Sequence, residues 1–264
     1  MNIRSIAKRK LPPSVVCFLK EAWRRWRLFY KWRNARLVKG PLTYNADGLA
    51  TLHNAECLVA PRFRDAYDVA SRVTGNTHNL LWRRYLAAWA AEQASRLDGD
   101  FVDSGVDRGL NAHTIIRYLD FARLGKTYYL CDTFSGWVPE LFSEAERQGG
   151  KVGPGRYGDT YEEVKSSFSA YPFVSLVRGA VPDSLSQVTA EKIAFLCLDT
   201  NCLAAEIGAL EYFWDKIVPG GIVLIDTYTF HSVKLIKTAI DDFLRERGVT
   251  ALSLPTGQGL VIHP

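Results

Sequence analysis

A chain of 264 residues with 47% hydrophobic and 23% charged residues has ordinary globular composition, with enough length for one large core or a core plus a small appendage. No stretch approaches the roughly 18 uninterrupted apolar residues of a membrane-spanning helix, and the N-terminus lacks an apolar h-region with a small-residue cleavage site. A soluble, unsecreted, cytoplasmic protein is expected. The five cysteines (Cys17, Cys57, Cys131, Cys197 and Cys202) form no CxxC pair, which argues against a disulfide framework and a cysteine-based zinc site.

The net charge of +5 is unevenly spread. Residues 1–39 hold 12 Lys/Arg against Glu21 alone, a charge of +11, and the remainder carries 21 basic and 27 acidic residues. Within this arm Trp23, Trp26, Phe29, Tyr30 and Trp32 interleave with Arg24, Arg25, Arg27, Lys31 and Arg33. That composition suits peripheral contact of residues 1–39 with the anionic inner membrane surface or a partner; a solvated extension and nucleic-acid contact are the competing readings. Pro12-Pro13 can open a basic helix and Gly40-Pro41 closes it, so 1–40 reads as an N-terminal extension.

From 41 to 99 the pattern reads as a helical cover: ADGLATLHNAECL, then RFRDAYDVASRV closed by Gly75, then HNLLWRRYLAAWAAEQASRL closed by Asp98-Gly99. Over 100–264 short apolar runs alternate with helical segments, the signature of a mainly parallel α/β sheet covered on both faces. Strands are predicted at 100–105, 127–132, 174–179, 193–199 and 221–226, and an antiparallel hairpin at 251–256 and 259–264 turns at Gly257-Gln258. Helices are predicted after Asn111, at DTYEEVKSSFSA behind an Asp159/Glu162 capping box, at AAEIGALEYFWDKI and at VKLIKTAIDDFLRERG.

In an open α/β sheet a ligand lies beyond the carboxyl ends of the strands. The first strand ends in Asp103-Ser104-Gly105, where Asp103 can engage an ammonium group; Gly105 and Gly109 give a GxxxG turn unlike the GxGxxG of dinucleotide sites. The second ends at Asp132, whose carboxylate can accept the hydroxyl protons of a ribose, with a turn or cap as the alternative. It is followed by Thr133-Phe134-Ser135-Gly136 and a Gly-rich, charged stretch to Arg156 that suits a mobile lid. The fourth and fifth strands end at Asp199 and Asp226-Thr227, oxygen ligands suited to Mg²⁺ unless the acids only cap helices. His231 follows closely enough to act as general base or to play a structural part.

The segments GDFVDSGVDRG, YYLCDTFSG, VRGAVPDSL, FLCLDTNCLAAEIGALEYFWDKIVPGGIVLIDTY and LPTGQGLVI together resemble the macrocin/mycinamicin-type (TylF/MycF-like) sugar O-methyltransferases, a resemblance running from about Tyr44 to Pro264. It implies a Rossmann-like, seven-stranded class I methyltransferase sheet, S-adenosylmethionine (SAM) and Mg²⁺ as cofactors, and methyl transfer to a hydroxyl of a sugar or glycosylated natural product or polysaccharide. The alternative is a degenerate protein of this fold that binds SAM or a glycan without turnover. Carried over by position, Asp103, Ser104, Gly105, Asp132, Thr133 and Gly179 are the expected cofactor-binding residues, Asp199, Asp226 and Thr227 the metal site, and Asp199 and His231 the catalytic pair. The expected partners are a sugar or glycan acceptor and further copies of the chain in a homo-oligomer. The family usually has two consecutive acids where this chain has Asp226-Thr227, and a neutral hydroxyl there should weaken Mg²⁺ binding.

Overall fold

The alternating apolar runs become a mixed sheet in the computed structural model, which describes Trp23 and residues 41–148, 158–230 and 234–264. His231, residues 149–157 of the expected lid and, Trp23 apart, the basic arm lie outside the described residues. Thr43–Pro264 form one compact unit that includes both the helical cover and the sheet. In chain order its elements begin with strands β1 (Tyr44–Ala46) and β2 (Leu49–Thr51), helices α1 (Pro61–Thr74) and α2 (Leu81–Ala94), strand β3 (Asp100–Ser104), helix α3 (Leu110–Leu119) and strand β4 (Tyr128–Asp132). They continue with α4 (Glu144–Gln148), α5 (Tyr161–Phe168), β5 (Val174–Arg178), β6 (Ile193–Leu198), α6 (Leu203–Phe213), β7 (Ile217–Ile225), α7 (Lys234–Glu246), β8 (Leu252–Ser253) and β9 (Gly259–Ile262).

The seven-stranded sheet has the order β5-β4-β3-β6-β7-β9-β8. Strands β3 to β7 pair in parallel, and β9 runs antiparallel to both β7 and β8. Strand order reverses between β3 and β6, which opens a crevice at their carboxyl ends. Alternate side chains feed two cores: Phe101, Tyr128, Leu130 and Phe195 face α2, α3 and α5, whereas Val102, Cys131, Leu196 and Val223 face α6 and α7. Helix α2 buries Ala87, Ala90, Ala91 and Ala94 in the first of these, small residues that let its backbone approach the sheet closely.

Two local expectations change. The segment ADGLATLHNAECL is a hairpin and a 3₁₀ turn instead of a helix: Asp47 (φ 49°) and Gly48 (φ 78°) are both left-handed, as a two-residue hairpin turn requires. The C-terminal hairpin has a longer connection than a Gly257-Gln258 turn, over 254–258, and pairs Leu252 with Leu260 and Ser253 with Gly259. Its connection sends the Gln258 side chain inward, where the residue is fully buried.

Gly105 closes the crevice floor. Its φ is 93°, and a Cβ there would lie 2.5 Å from the backbone carbon and oxygen of Asp199, so only glycine lets the β3 and β6 ends come together. Gly105→Ala should destabilise the fold by roughly 2–3 kcal/mol and lower the melting temperature by about 5–10 °C, as read by thermal unfolding.

Candidate active site

The crevice is a cleft of about 660 Å³, lined along the strand ends by Asp103, Gly105, Asp132, Thr133, Gly179, Asp199, Asp226 and Thr227. Its volume lies in the range of small-molecule sites. Thus all but one of the described residues expected there face one space. Ser104 is fully buried beneath it and absent from the lining, and Asp226 lines the cleft but is engaged otherwise than expected.

Asp103 is 1% exposed and accepts a hydrogen bond from Asn111 Nδ2 at 3.1 Å. Burial outweighs that bond and pushes its carboxyl up to about 6. The Oδ1 atom of Asn111 is buried without a hydrogen-bond partner among the described residues. A carboxyl and an orphaned amide oxygen thus sit together on a cleft wall with no cation bonded to either.

Asp132 differs from the open carboxylate expected of a ribose site. One oxygen accepts the backbone N–H of Val106 (2.6 Å) and Asp107 (2.9 Å), and the other accepts that of Phe134 (2.8 Å). Asp132 therefore ties the turn after β3 to the turn after β4, and a carboxylate with about four lone-pair sites has little capacity left. Thr133 Oγ1 donates to Gly136 O at 2.5 Å and tightens the second turn.

Asp226 is fully buried and surrounded by donors. Arg84 Nη2 lies 2.7 Å from both of its oxygens, Arg83 Nη2 contacts Oδ2, and Gln258 Nε2 donates to Oδ1 at 2.7 Å. Burial alone would raise this carboxyl, but Arg84 and Arg83 outweigh it and hold it at about 2. Arg84 is buried too, and the charge of Asp226 keeps it firmly protonated against the cost of desolvation. Asp226, expected as a metal ligand, thus has both oxygens met by hydrogen-bond donors, two of them guanidinium groups. Among the described residues no group of three or more His, Cys, Asp or Glu is arranged to hold a metal ion.

Asp199 shares a hydrogen bond with Asp226, and burial together with that neighbour's charge pushes its carboxyl well above the usual range. Asn201 Nδ2 donates to its Oδ1 at 3.1 Å. The loop carrying Asp199 is held from below by Glu206 of α6, which is 1% exposed. Its Oε1 accepts Thr200 N (2.9 Å), Thr200 Oγ1 (3.1 Å) and Asn201 N (3.1 Å).

Sequence reading missed Arg83, Arg84, Glu206 and Gln258. The one available signal was chemical: two adjacent arginines in a helix whose other inward positions are alanine, and a glutamate in the apolar helix AAEIGALEYF.

With this geometry established, the comparisons assign the family. The sequence profile of the macrocin-O-methyltransferase (TylF) family matches residues 69–254. This chain belongs to that family. Mycinamicin III 3''-O-methyltransferase of Micromonospora griseorubida is 22% identical over 165 residues, 58% of this chain and 63% of that protein. The 8-demethyl-8-(2,3-dimethoxy-alpha-L-rhamnosyl)-tetracenomycin-C 4'-O-methyltransferase of Streptomyces olivaceus is 24% identical over 169 residues, 60% of this chain and 62% of that protein. The alignments thus span less than two thirds of either relative. In fold, this TylF-family chain is similar to the O-methyltransferase NovP (TM-score 0.56, 20% identity, 69% of this chain and 80% of that one). It is also similar to CalS11, a calicheamicin methyltransferase (TM-score 0.55, 15% identity, 86% and 99%).

Burial raises Glu206 from its ordinary 4.5 to about 7, against the lowering effect of its three hydrogen bonds. Between those values the folded state binds more protons than the unfolded chain, so stability falls as pH rises through the window and levels off above it. Glu206→Gln should remove that contribution from the curve, on which Asp103 and Asp199, raised likewise, add a slope of the same sign and His113, lowered by burial from 6.5 to about 4, adds one of the opposite sign; urea melts of both proteins across the window measure the difference.

Proposed function

We propose that this chain is a SAM-dependent O-methyltransferase acting on a hydroxyl of a sugar, of a glycosylated natural product or of a polysaccharide. The observation that carries the reading is the wall formed by Asp103 and Asn111 in the strand-end cleft of a TylF-family chain. A buried carboxyl at about 6 and an unpartnered amide oxygen are suited to the ammonium group of an amino-acid cofactor, and the cation would stabilise the ionised form of Asp103. The family-level relation to sugar O-methyltransferases supports the acceptor class.

SAM, when bound, supplies an electrophilic methyl group on a sulfonium. The protein's share is to hold the acceptor hydroxyl in line with that methyl and to take up its proton. Positioning of this kind accounts for much of the rate of a displacement between two bound groups. Asp199 is suited to receive the proton: it lines the cleft, and its raised proton affinity makes the ionised form a stronger base than an ordinary carboxylate. Asp132 and Gly179 shape the cofactor side, because Gly179 N donates to Asp132 O at 2.9 Å and fixes the β4 and β5 ends together. The basic arm, with its interleaved tryptophans, is assigned to peripheral contact with an anionic membrane surface. Among the described residues no helix is long and apolar enough to cross a membrane.

Calorimetry should show SAM binding with release of a proton near pH ~5, visible as an enthalpy that depends on the buffer's own ionisation, because the ammonium displaces the proton of Asp103. Asp103→Asn should lose that proton and weaken binding by roughly 10- to 150-fold, equivalent to about 1.5–3 kcal/mol for a charged hydrogen bond. Unchanged SAM affinity in the folded variant would remove Asp103 from the site.

Assayed against nucleotide-activated sugars and glycans, Asp199→Asn should lower turnover by about 10²–10⁴ while leaving SAM affinity within a few fold. Clear SAM binding with no methyl transfer by wild type to any acceptor would favour a binding protein over an enzyme.

A further inference from the structure

A site that uses a divalent cation offers it carboxylate oxygens with free lone pairs. Asp226 offers none. Its two oxygens meet Arg84 at 2.7 Å, Arg83, and Gln258 at 2.7 Å. The two guanidinium groups bring the same formal charge as Mg²⁺ to the ends of β6 and β7, and they are fixed there by the fold. Arg83 and Arg84 are 9% and 5% exposed, and Arg83 Nη1 also lies 3.6 Å from Asp47 Oδ2 of the N-terminal hairpin. Gln258 Nε2 reaches Arg83 O at 3.3 Å as well as Asp226. Position 227, next to Asp226, carries a neutral threonine.

A second observation points into the cleft. The Nε atoms of both arginines are buried and have no hydrogen-bond partner among the described residues. Both residues line the same space as Asp199 and Thr227. A buried donor left without a partner is costly until an acceptor meets it.

We propose that the Arg83–Arg84 pair takes the place of a divalent cation in this chain, so that methyl transfer needs no metal and the guanidinium charge stabilises the oxygen of the acceptor as it loses its proton. The inference rests on the methyltransferase reading above and specifies its electrostatics. The step requires Asp199 ionised, the proton it shares with Asp226 having first passed to solvent; the acceptor O–H bond then breaks and its proton passes to the Asp199 carboxylate. The O–CH₃ bond forms as the methyl–sulfur bond breaks, and the bonding electrons leave with sulfur, which becomes a neutral thioether. Both arginines stay protonated throughout. Their contribution is a fixed field aimed at the oxygen, and removing one such donor from an enzyme site costs on the order of 10²–10³ in turnover.

The test has two independent readouts. Wild-type protein titrated with MnCl₂, followed by electron paramagnetic resonance of the free ion, should show no saturable binding at millimolar Mn²⁺; stoichiometric binding at micromolar Mn²⁺ would overturn the proposal whether or not an acceptor is known. Once an acceptor is found, turnover should be unchanged by EDTA, and abolition by EDTA with restoration by Mg²⁺ would overturn it. Arg84→Met should lower kcat by about 10²–10³ with SAM affinity within a few fold, and Arg84→Lys should recover part of that loss because it keeps the charge. Equal kcat for wild type and a folded Arg84→Met would overturn the electrostatic role. If Arg84→Met fails to fold, because Asp226 is left with too little compensation, the Arg84→Lys comparison and the Mn²⁺ titration still decide. Absence of turnover on every acceptor would sink the methyltransferase reading, whereas the Mn²⁺ result stands apart from it.

Discussion

Burying an ionised carboxylate costs several kcal/mol unless its lone pairs are met, and Asp226 meets that cost with partners drawn from distant parts of the chain. Arg83 and Arg84 come from α2 in the N-terminal segment, Gln258 from the C-terminal connection between β8 and β9, and Asp226 itself from the end of β7. One carboxylate thereby joins the helical cover, the parallel sheet and the antiparallel edge. Thr256 Oγ1 donates to Gln258 Oε1 at 2.8 Å and orients the amide whose Nε2 faces Asp226. The inward turn of Gln258 accounts for the longer connection between the last two strands.

The same interaction organises the chemistry of the cleft. Four acids stand at the ends of neighbouring strands, and their surroundings give them separate states. Asp226 is held ionised by the arginines, whereas Asp199 beside it is pushed toward its protonated form by burial and by that fixed negative charge. Asp103, buried with Asn111, stands at about 6 because desolvation outweighs the Asn111 hydrogen bond and the more distant charge of Arg84. Asp132 spends its capacity on backbone N–H groups and so acts as a clasp between two turns. Identical side chains at equivalent strand ends thus differ in charge state and bonding: one is held ionised against arginines, two are pushed toward the protonated form by burial, and one ties two turns together.

Positive charge on α2 is anchored in this chain's fold. A bound ion can leave, whereas a guanidinium on a helix packed through Ala87, Ala90, Ala91 and Ala94 against the sheet is part of the scaffold. Such a group needs no rearrangement when charge develops in the cleft, which is the condition under which fixed dipoles and charges act most strongly. Glu206 extends the same logic beneath Asp199, since three hydrogen bonds to one of its oxygens hold the Thr200–Asn201 loop in place.

The sequence alone determined the strands of the seven-stranded sheet, because period-2 and short apolar runs bounded by glycine and acids admit few other structures in water. It also determined that Asp103, Asp132, Asp199 and Asp226 share one edge of the sheet, since ligand sites in this topology lie beyond the carboxyl ends. The Asp47-Gly48 hairpin was legible in principle through its turn dipeptide, but the helical spacing of the surrounding apolar residues masked it. What each acid does was decided only by tertiary structure. The partners of Asp226 lie 142, 143 and 32 residues away along the chain, and those of Asp132 in the β3 turn lie 25 and 26 away. No local pattern encodes such pairings: a carboxylate's charge state depends on the dielectric and the cations around it, and both are fixed only when α2, β7 and the last connection close on one another.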